Sequence, residues 1–357
     1  MKFDEFIILT SPQDGLHNDL LAQSQVVAKK IIHEFNKPFL VSEHELFITA
    51  SIGIALYTGI DETVDILLKR ADAAMYQAKK AGRNTFKFYQ ESMQEVINAR
   101  VNMERHLRGA VANNEFTLQY QPQVSASNEI VGAEALIRWQ NSELGFVSPV
   151  DFIPVSEETG VIIPISYWIV KTVCIQIKEW EEQGVYIPHI AINISAKQFH
   201  QPDFASNILS IVKEQNITPD KIVLEITESV FLGNIEEAIE KMNALKERGF
   251  KFSIDDFGTG YSSLTYLKRL PFDQLKIDQS FVRGLDDNKA DAAIVKAIVV
   301  MAKSMSLNLI AEGVETDRHL AYLSGYGCHY YQGYYFSRPL TAEKMVDYVK
   351  NHSKFSL

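Results

Sequence analysis

Several features that indicate large classes of protein are scarce in this sequence. Only two cysteines, Cys174 and Cys328, occur in 357 residues, and neither has a partner at metal-binding spacing. Their scarcity excludes a cysteine-built zinc site and is typical of a protein of the reducing cytoplasm. Long uncharged apolar runs are also missing, and residues 1–5 do not have the layout of a signal peptide. The sequence therefore predicts a cytoplasmic protein with no membrane segment.

Positive charge is scarce as well. The chain has 35 Lys and Arg against 45 Asp and Glu, which gives a formal net charge of −10. A protein that binds duplex nucleic acid is usually basic, so this balance argues against such a partner. It leaves room for a small anionic ligand, provided that a metal ion supplies the positive charge. The length, with 46% hydrophobic residues, is enough for a large core and predicts two domains.

The first part of the chain reads as an α/β segment over residues 1–90. Apolar runs predict strands at 6–9 and 86–88, with helical periodicity between them. Residues 91–112 then carry apolar side chains at helical spacing and predict a helix that connects to the next domain.

From residue 113 to residue 357 the pattern of strand, loop and helix repeats. Eight candidate strands, most of them separated by helical stretches, match the size and rhythm of an α/β barrel of the (β/α)₈ TIM type. The candidate strands are 116–121, 130–136, 187–194, 221–226, 250–255, 274–277, 307–311 and 328–332.

The fifth of these strands ends at two adjacent carboxylates, Asp255 and Asp256, and two glycines follow closely, Gly258 and Gly260. Two neighbouring carboxylates are costly to ionise together unless a cation lies between them. In the alternative interpretation, Asp256 caps the next turn and Asp255 is solvated.

Polar side chains interrupt or end the other apolar strands too. Each one alone could be a loop anchor, a cap or part of a structural ion pair. Their repetition at strand ends is the stronger observation, because the active sites of such barrels gather at the C-terminal ends of the strands. The residues are Gln121, Glu134, Asn193, Glu225 with Glu228 beyond it, Asp255 with Asp256, Lys276, Glu312 and Gln332.

The chemistry of this set favours metal-dependent hydrolysis. Carboxylates and one amide, with no His or Cys, suit Mg²⁺ or Mn²⁺. Several carboxylates on facing strands can hold two ions, and two-metal sites promote in-line attack of water on a phosphodiester. Lys276 could orient or deprotonate that water or steady the phosphate; the alternative, a solvated surface lysine, is weakened by the flanking Leu275 and Ile277.

Short motifs in residues 1–90 occur in a recognisable order. They are Asp4-Glu5-Phe6, Ser51-Ile52-Gly53-Ile54-Ala55, Ala71-Asp72-Ala73-Ala74-Met75-Tyr76-Gln77-Ala78-Lys79 and Gly82-Arg83-Asn84. Together they resemble the C-terminal half of a GGDEF (diguanylate cyclase) domain. Lys2 and Phe3 stand where that family has two glycines, and side chains there would keep a phosphate from the backbone. We expect a truncated, degenerate domain that acts as a scaffold or dimer element without cyclase activity.

A second resemblance covers nearly all of residues 110–350. The ordered motifs include Tyr120-Gln121-Pro122, Glu134-Ala135-Leu136-Ile137-Arg138-Trp139, Asn193-Ile194-Ser195, Leu224-Glu225-Ile226-Thr227-Glu228, Asp255-Asp256-Phe257-Gly258, Lys276-Ile277-Asp278, Ala311-Glu312-Gly313-Val314-Glu315 and Gln332-Gly333. They resemble an EAL-type cyclic-di-GMP phosphodiesterase, which hydrolyses this bacterial second messenger to the linear dinucleotide pGpG.

The resemblance also implies roles for individual residues. It assigns the first metal ion to Glu134, Asn193, Glu225 and Asp255, and a second to Asp255 with Asp256 and Glu312. It implies that Lys276 acts on the water and that Glu228 holds the loop 256–262. Contacts to the dinucleotide are implied for Gln121, Leu136, Arg138, Glu315 and Gln332. It further implies a homodimer through the EAL domain, around residues 261–267.

Two other functions are compatible with parts of this pattern. A receptor that binds cyclic di-GMP without hydrolysing it would not need to keep Lys276, Glu225 and Asp255 together. An unrelated barrel enzyme acting on phosphorylated sugars would need a glycine-rich phosphate loop, whereas Gly313 and Gly333 are isolated.

Overall fold

A computed structural model describes residues 5–10, 20–42, 44–57, 59, 63–231, 234–258 and 267–352. The chain divides into two compact units, Met1–Met103 and Glu104–Leu357.

The described part of the first unit is a small α/β assembly. Strands β1 and β2 pair antiparallel, and β3 and β4 pair parallel. The second helix begins after Thr63, whose side chain accepts a hydrogen bond from the N–H of Ile66. Its elements are α1 (Leu20–Phe35), β1 (Phe39–Val41), β2 (His44–Leu46), β3 (Ile52–Ile54), α2 (Val64–Lys80) and β4 (Phe86–Phe88). Helix α3 (Glu91–Leu107) begins in this unit and ends four residues into the second.

Helix α2 lies close to β3. A Cβ atom at Gly53 would stand 1.9 Å from the carbonyl oxygen of Ala71, so only glycine allows this approach. The strand predicted at residues 6–9 is wrong: this stretch has no strand pairing, and Phe6 and Leu9 are 84% and 94% exposed. The helix predicted for 91–112 ends at Leu107 and is followed by turns.

The second unit is a closed barrel of eight strands. Strand β7 extends the sheet at its margin by pairing with β6, and β5 pairs with both β6 and β13 to close the barrel. The strands are β5 (Phe116–Ser125), β6 (Ile130–Asn141), β7 (Gly145–Val147), β8 (Ile190–Ile194), β9 (Ile222–Thr227), β10 (Lys251–Phe257), β11 (Gln274–Ile277), β12 (Asn308–Ala311) and β13 (Tyr330–Tyr331).

The first barrel strand departs from the regular (β/α)₈ pattern. Strand β5 runs antiparallel to both of its neighbours, while the other barrel pairs are parallel. The connection between β5 and β6 is too short for a crossover helix, so the two strands form a hairpin. They are 10 and 12 residues long and continue past the predicted ends. The sequence prediction placed Gln121 and Glu134 at strand ends, and this is wrong: both lie within their strands.

Helices surround the barrel and bury one face each against it. On α5 the buried side chains include Ile165, Val173 and Ile177. Strand β9 is buried on both faces, which explains its nearly continuous apolar composition. The helices are α4 (Pro149–Thr159), α5 (Ile162–Glu182), α6 (Ala196–Phe199), α7 (Phe204–Glu214), α8 (Ile235–Lys246), α9 (Gln279–Arg283), α10 (Lys289–Ser304), α11 (Asp317–Tyr326) and α12 (Ala342–His352).

Both cysteines belong to this packing. Cys174 and Cys328 are free thiols and fully buried, and burial raises the pKa of each to about 12. Among the helices that the structure describes, none is by itself long and apolar enough to cross a membrane. One pair, α4 with α5, passes that criterion only in combination and is bent by 120°.

Candidate active site

The predicted polar residues converge on one lysine at the centre of the barrel. The Lys276 side chain is only 1% exposed, so it is not the surface lysine of the alternative interpretation. Its ammonium nitrogen lies 2.5 Å from Glu312 Oε1, 2.9 Å from Glu225 Oε2, 3.2 Å from Asp255 Oδ1 and 3.5 Å from Glu134 Oε2. One cation thus contacts four carboxylates that come from four different strands or strand ends.

Strand register explains why residues so far apart in sequence meet here. Asn193 on β8 pairs with Glu225 on β9, and Glu225 pairs with Ser253 on β10. Alternate residues of a strand point to the same face, so Ser253 and Asp255 both face the barrel interior. The parallel ladder then aligns these interior positions at one level of the barrel.

Asp256 reaches the same region through an irregularity in β10. In a regular strand it would point away from Asp255, because successive side chains alternate. The register between β10 and β11 shifts between Ile254 and Phe257, and Asp256 has a left-handed backbone with φ of 52°. Single carboxylate oxygens of Asp255, Asp256 and Glu312 consequently lie within 4.8 Å of one another. Such bulges commonly redirect side chains beside active sites.

Burial and mutual repulsion perturb the acids of this cluster. Burial raises the pKa of Glu312 to about 8, with the charges of Asp255 and Glu134 adding to it and Lys276 opposing it. Burial followed by the charge of Asp255 raises the pKa of Asp256 to about 6. The pKa of Glu225 is raised well above its ordinary value, mainly by desolvation. Burial alone would lower the pKa of Lys276, but the surrounding carboxylates raise it well above its usual range.

Amide side chains hold Glu134 from both sides. Asn193 Nδ2 donates to Glu134 Oε1 at 2.6 Å, and Gln332 Nε2 donates to Glu134 Oε2 at 2.5 Å. Gln332 Nε2 also lies 3.2 Å from Gln121 Oε1, and Gln121 Nε2 donates to the carbonyl of Ser337. These bonds and Lys276 outweigh burial, so the pKa of Glu134 is lowered. Both oxygens of Glu134 therefore accept hydrogen bonds, and the carboxyl group has a fixed orientation.

The cluster has the properties of a divalent metal site. Four buried or half-buried carboxylates contact a single ammonium group, and the exposed carboxylate of Asp256 lies beside two of them, Asp255 and Glu312. Apart from Lys276, the groups that face the centre are oxygen donors, which hard divalent ions prefer. Glu225 Oε1 is buried and has no hydrogen-bond partner among the described residues. A buried carboxylate oxygen without a partner is costly, and a bound cation would satisfy it. The residues present thus fit one or more hard divalent ions.

The remaining predicted residues lie around this centre. Leu136 and Arg138 continue the interior face of β6 beyond Glu134, and Arg138 Nε donates to Gln119 Oε1 at 2.9 Å. Glu228 Oε1 accepts a hydrogen bond from the N–H of Gly258 at 3.2 Å. Glu315 is exposed and pairs with Arg283 at 3.0 Å, and no described ion pair joins it to Lys276.

The sequence prediction omitted two groups that contact these residues. Gln123 is fully buried, and its Nε2 donates to Gln332 Oε1 at 3.0 Å. It lies two positions beyond Gln121 on the same strand face, and this alternation could have revealed it. His319 is buried too, and its Nδ1 accepts from the N–H of Glu315 at 3.4 Å.

The segment predicted to form a dimer, 261–267, lies outside the described residues except for Leu267, which is buried. The same holds for the part of the 256–262 loop after Gly258.

Comparison with known proteins agrees with this geometry. Residues 104–339 match the EAL domain family, and residues 1–85 match the diguanylate cyclase GGDEF domain. The bifunctional diguanylate cyclase/cyclic di-GMP phosphodiesterase MucR of Pseudomonas aeruginosa is 38% identical over 344 residues, which are 96% of this chain and 49% of that protein. The cyclic di-GMP phosphodiesterase PdeR of Escherichia coli is 34% identical over 353 residues, 98% of this chain and 52% of that protein.

A solved structure, the PaMucR phosphodiesterase in complex with c-di-GMP, is similar to the barrel. It matches with a TM-score of 0.66 and 38% identity, and the match covers 68% of this chain and 99% of that one. The chain spans about half the length of the curated relatives it matches.

Proposed function

Because the chain belongs to the EAL domain family, we propose that it hydrolyses cyclic di-GMP to linear pGpG in a reaction that depends on Mg²⁺ or Mn²⁺. The observation that carries this proposal is the cluster of five carboxylates around Lys276, in which Glu225 Oε1 has no partner among the described residues. The names of MucR and PdeR, and the c-di-GMP held by PaMucR, support the same substrate.

The proposed ligands of the ions are the carboxylates of the cluster and one amide. Glu134, Asn193, Glu225 and Asp255 would hold one ion, and Asp255, Asp256 and Glu312 would hold a second. When bound, such ions supply a water of lowered pKa and neutralise the charge that develops on the phosphate. The water oxygen forms a new bond to phosphorus, the bond from phosphorus to one ribose 3′ oxygen breaks, and that oxygen takes up a proton.

The chain's own residues set the geometry of this step. Lys276 is an ammonium group in the site, so it donates hydrogen bonds and can orient the water or a phosphate oxygen. Glu228 would hold the backbone at Gly258 and with it the end of the strand that carries Asp255. Gln121, Leu136, Arg138, Glu315 and Gln332 are proposed to contact the dinucleotide, with the Arg138 guanidinium suited to phosphate or guanine.

The test is incubation of the purified chain with cyclic di-GMP, with and without Mg²⁺ or Mn²⁺, and chromatography of the nucleotides. Glu134→Ala should abolish formation of pGpG while the protein stays folded. Glu129→Ala is the matched control, since this glutamate is exposed on the β5–β6 hairpin. Intact nucleotide together with tight binding would instead favour a non-catalytic receptor.

The proposal has three further parts. We propose a degenerate GGDEF-like domain over residues 1–90, a connecting segment over 91–112 and the phosphodiesterase barrel over 113–357. A homodimer through the barrel is expected, and light scattering of the purified chain tests it. The two free thiols fit a reducing, cytoplasmic location.

A further inference from the structure

A chain of hydrogen bonds runs beneath the active site toward the N-terminal ends of the barrel strands. Glu134 accepts from Gln332, Gln332 accepts from Gln123 at 3.0 Å, and Gln123 Oε1 faces His189 Nε2 at 3.3 Å. Gln123 is fully buried, and Gln332 is only 4% exposed. His189 directly precedes β8, so the chain joins the catalytic level to the opposite end of the barrel.

Strand pairing builds this second level. Gln121 pairs with Glu134 across β5 and β6, and two residues further on Gln123 pairs with Gly132. The imidazole of His189 occupies the space that a side chain at position 132 would need, because a Cβ there would lie 2.5 Å from His189 Nε2. Gly132 thus allows the histidine to approach Gln123.

The contacts of Glu134 fix the direction of every bond in the chain. Its two oxygens accept from Asn193 Nδ2 and Gln332 Nε2, so the group of Gln332 that faces Glu134 is the NH₂. The carbonyl of Gln332 then faces Gln123, which must present its own NH₂. The carbonyl of Gln123 in turn faces His189, which must donate from Nε2. Reversing any one amide would place two oxygens or two donors against each other.

We propose that Gln123 is a positioning residue that fixes the orientation of the Gln332 amide and, through it, the carboxylate of Glu134. The inference rests on the proposed function, in which Glu134 is a metal ligand. Loss of a hydrogen bond to a metal ligand, here the bond from Gln332 to Glu134, typically costs about 10–100-fold in metal affinity or activity.

Gln123→Glu is the sharpest variant, because it keeps the size of the side chain and reverses its polarity. Both oxygens of the new carboxylate accept hydrogen bonds, so the Gln332 amide turns its NH₂ toward position 123 and its carbonyl toward Glu134. Gln123→Leu removes the polarity and leaves Gln332 free to keep its donor on Glu134. Gln274→Glu is the control for a new carboxylate on a barrel strand, since Gln274 is also buried and its Nε2 has no described partner.

The experiment measures Mn²⁺ affinity by calorimetry, together with kcat, KM and thermal unfolding in the absence of metal. We expect Gln123→Glu to weaken Mn²⁺ binding about 10–100-fold and to lower kcat more than it raises KM. Gln123→Leu should lie between this variant and the wild type. If Gln123→Leu loses as much Mn²⁺ affinity as Gln123→Glu, packing and not bond direction matters, and the inference is overturned. The same conclusion follows if the Gln274→Glu control loses as much Mn²⁺ affinity as Gln123→Glu.

The outcome for the proposed function is read separately. A wild-type chain that hydrolyses cyclic di-GMP while Gln123→Glu keeps its Mn²⁺ affinity within twofold overturns the inference alone. A wild-type chain that binds Mn²⁺ without hydrolysis overturns the proposed function, and the Mn²⁺ affinity of Gln123→Glu then decides the inference by itself.

Discussion

Replacement of Lys276 by methionine removes the ammonium group that the four contacting carboxylates share. The side chain is 1% exposed and contacts Glu134, Glu225, Asp255 and Glu312 within 3.5 Å. Methionine has a similar length and no charge, so the change removes the cation without leaving a large cavity. In metal-free buffer we expect the folded protein to be markedly destabilised.

The magnitude follows from the burial of the cluster. Removing one partner of a buried ion pair costs about 3–5 kcal/mol, because the other charge stays buried and uncompensated. For a domain of this size, each kcal/mol lowers the Tm by about 2–4 °C, so the melting temperature should fall by about 6–20 °C. Proton uptake by Glu312, whose pKa is already raised to about 8, favours the lower end of this range.

Scanning calorimetry in the presence of a chelator measures this change, and a second scan with Mn²⁺ tests its origin. An ion that enters the carboxylate cluster should raise the Tm of Lys276→Met more than that of the wild type. Lys246→Met is the matched control: its ion pair with Asp273 spans 2.7 Å, but the two side chains are 29% and 30% exposed. We expect this control to cost about 0–1 kcal/mol. A Lys276→Met protein within about 1 kcal/mol of the wild type would refute the reasoning.

Three further predictions concern pH, metal removal and the loop after β12. Burial, with the charge of Lys251, lowers the pKa of His189 to about 4, so the unfolded chain binds a proton there before the folded one as pH falls below 6.5. Stability should drop over this interval, and in urea titrations His189→Gln should lose about 2 kcal/mol less than the wild type between pH 7 and pH 4.5. Chelation of an ion present at 100 times its Kd should remove about 2.7 kcal/mol, seen as a lower Tm that added Mn²⁺ restores. His319→Ala removes the acceptor of the Glu315 N–H, and should raise KM for cyclic di-GMP more than it lowers kcat.

Each of these predictions has an outcome that contradicts it. If His189→Gln and the wild type lose the same stability as the pH falls, protonation of His189 is not the cause of that loss. An unchanged Tm after chelation would argue against a metal in the cluster. If His319→Ala lowers kcat and leaves KM unchanged, this histidine does not support binding of the dinucleotide.

The barrel and most of the cluster could be predicted because they follow from patterns in single strands. Glu225 stands in an otherwise apolar strand, and Lys276 stands between Leu275 and Ile277. A charged residue in such a position must be compensated inside the barrel, which is what the contacts of Lys276 provide. The register of the parallel strands then follows from the fold.

Other features depend on information that no single strand contains. The common orientation of Asp255 and Asp256 needs the register shift in β10 and the left-handed φ of Asp256, and the sequence alone predicts neither. The antiparallel course of β5, by contrast, could be predicted from the sequence, because the connection to β6 is too short for a helix. Gln123 lies beyond the strand end predicted at residue 121, because β5 continues to Ser125.

The chemistry of the second level explains why it is built from amides. Lys276 already lies 3.5 Å from Glu134, and a second lysine or an arginine there would compete with a metal ion for the carboxylate. Another acid would add to a cluster that already holds five carboxylates and one ammonium group. A glutamine adds no net charge. Its NH₂ donates one directional hydrogen bond to the carboxylate, and its carbonyl then accepts a hydrogen bond from the next donor. Gln332 and Gln123 therefore orient Glu134 without satisfying its charge. That remaining charge is what a divalent ion can neutralise, so the same arrangement that strains the metal-free cluster prepares it for binding.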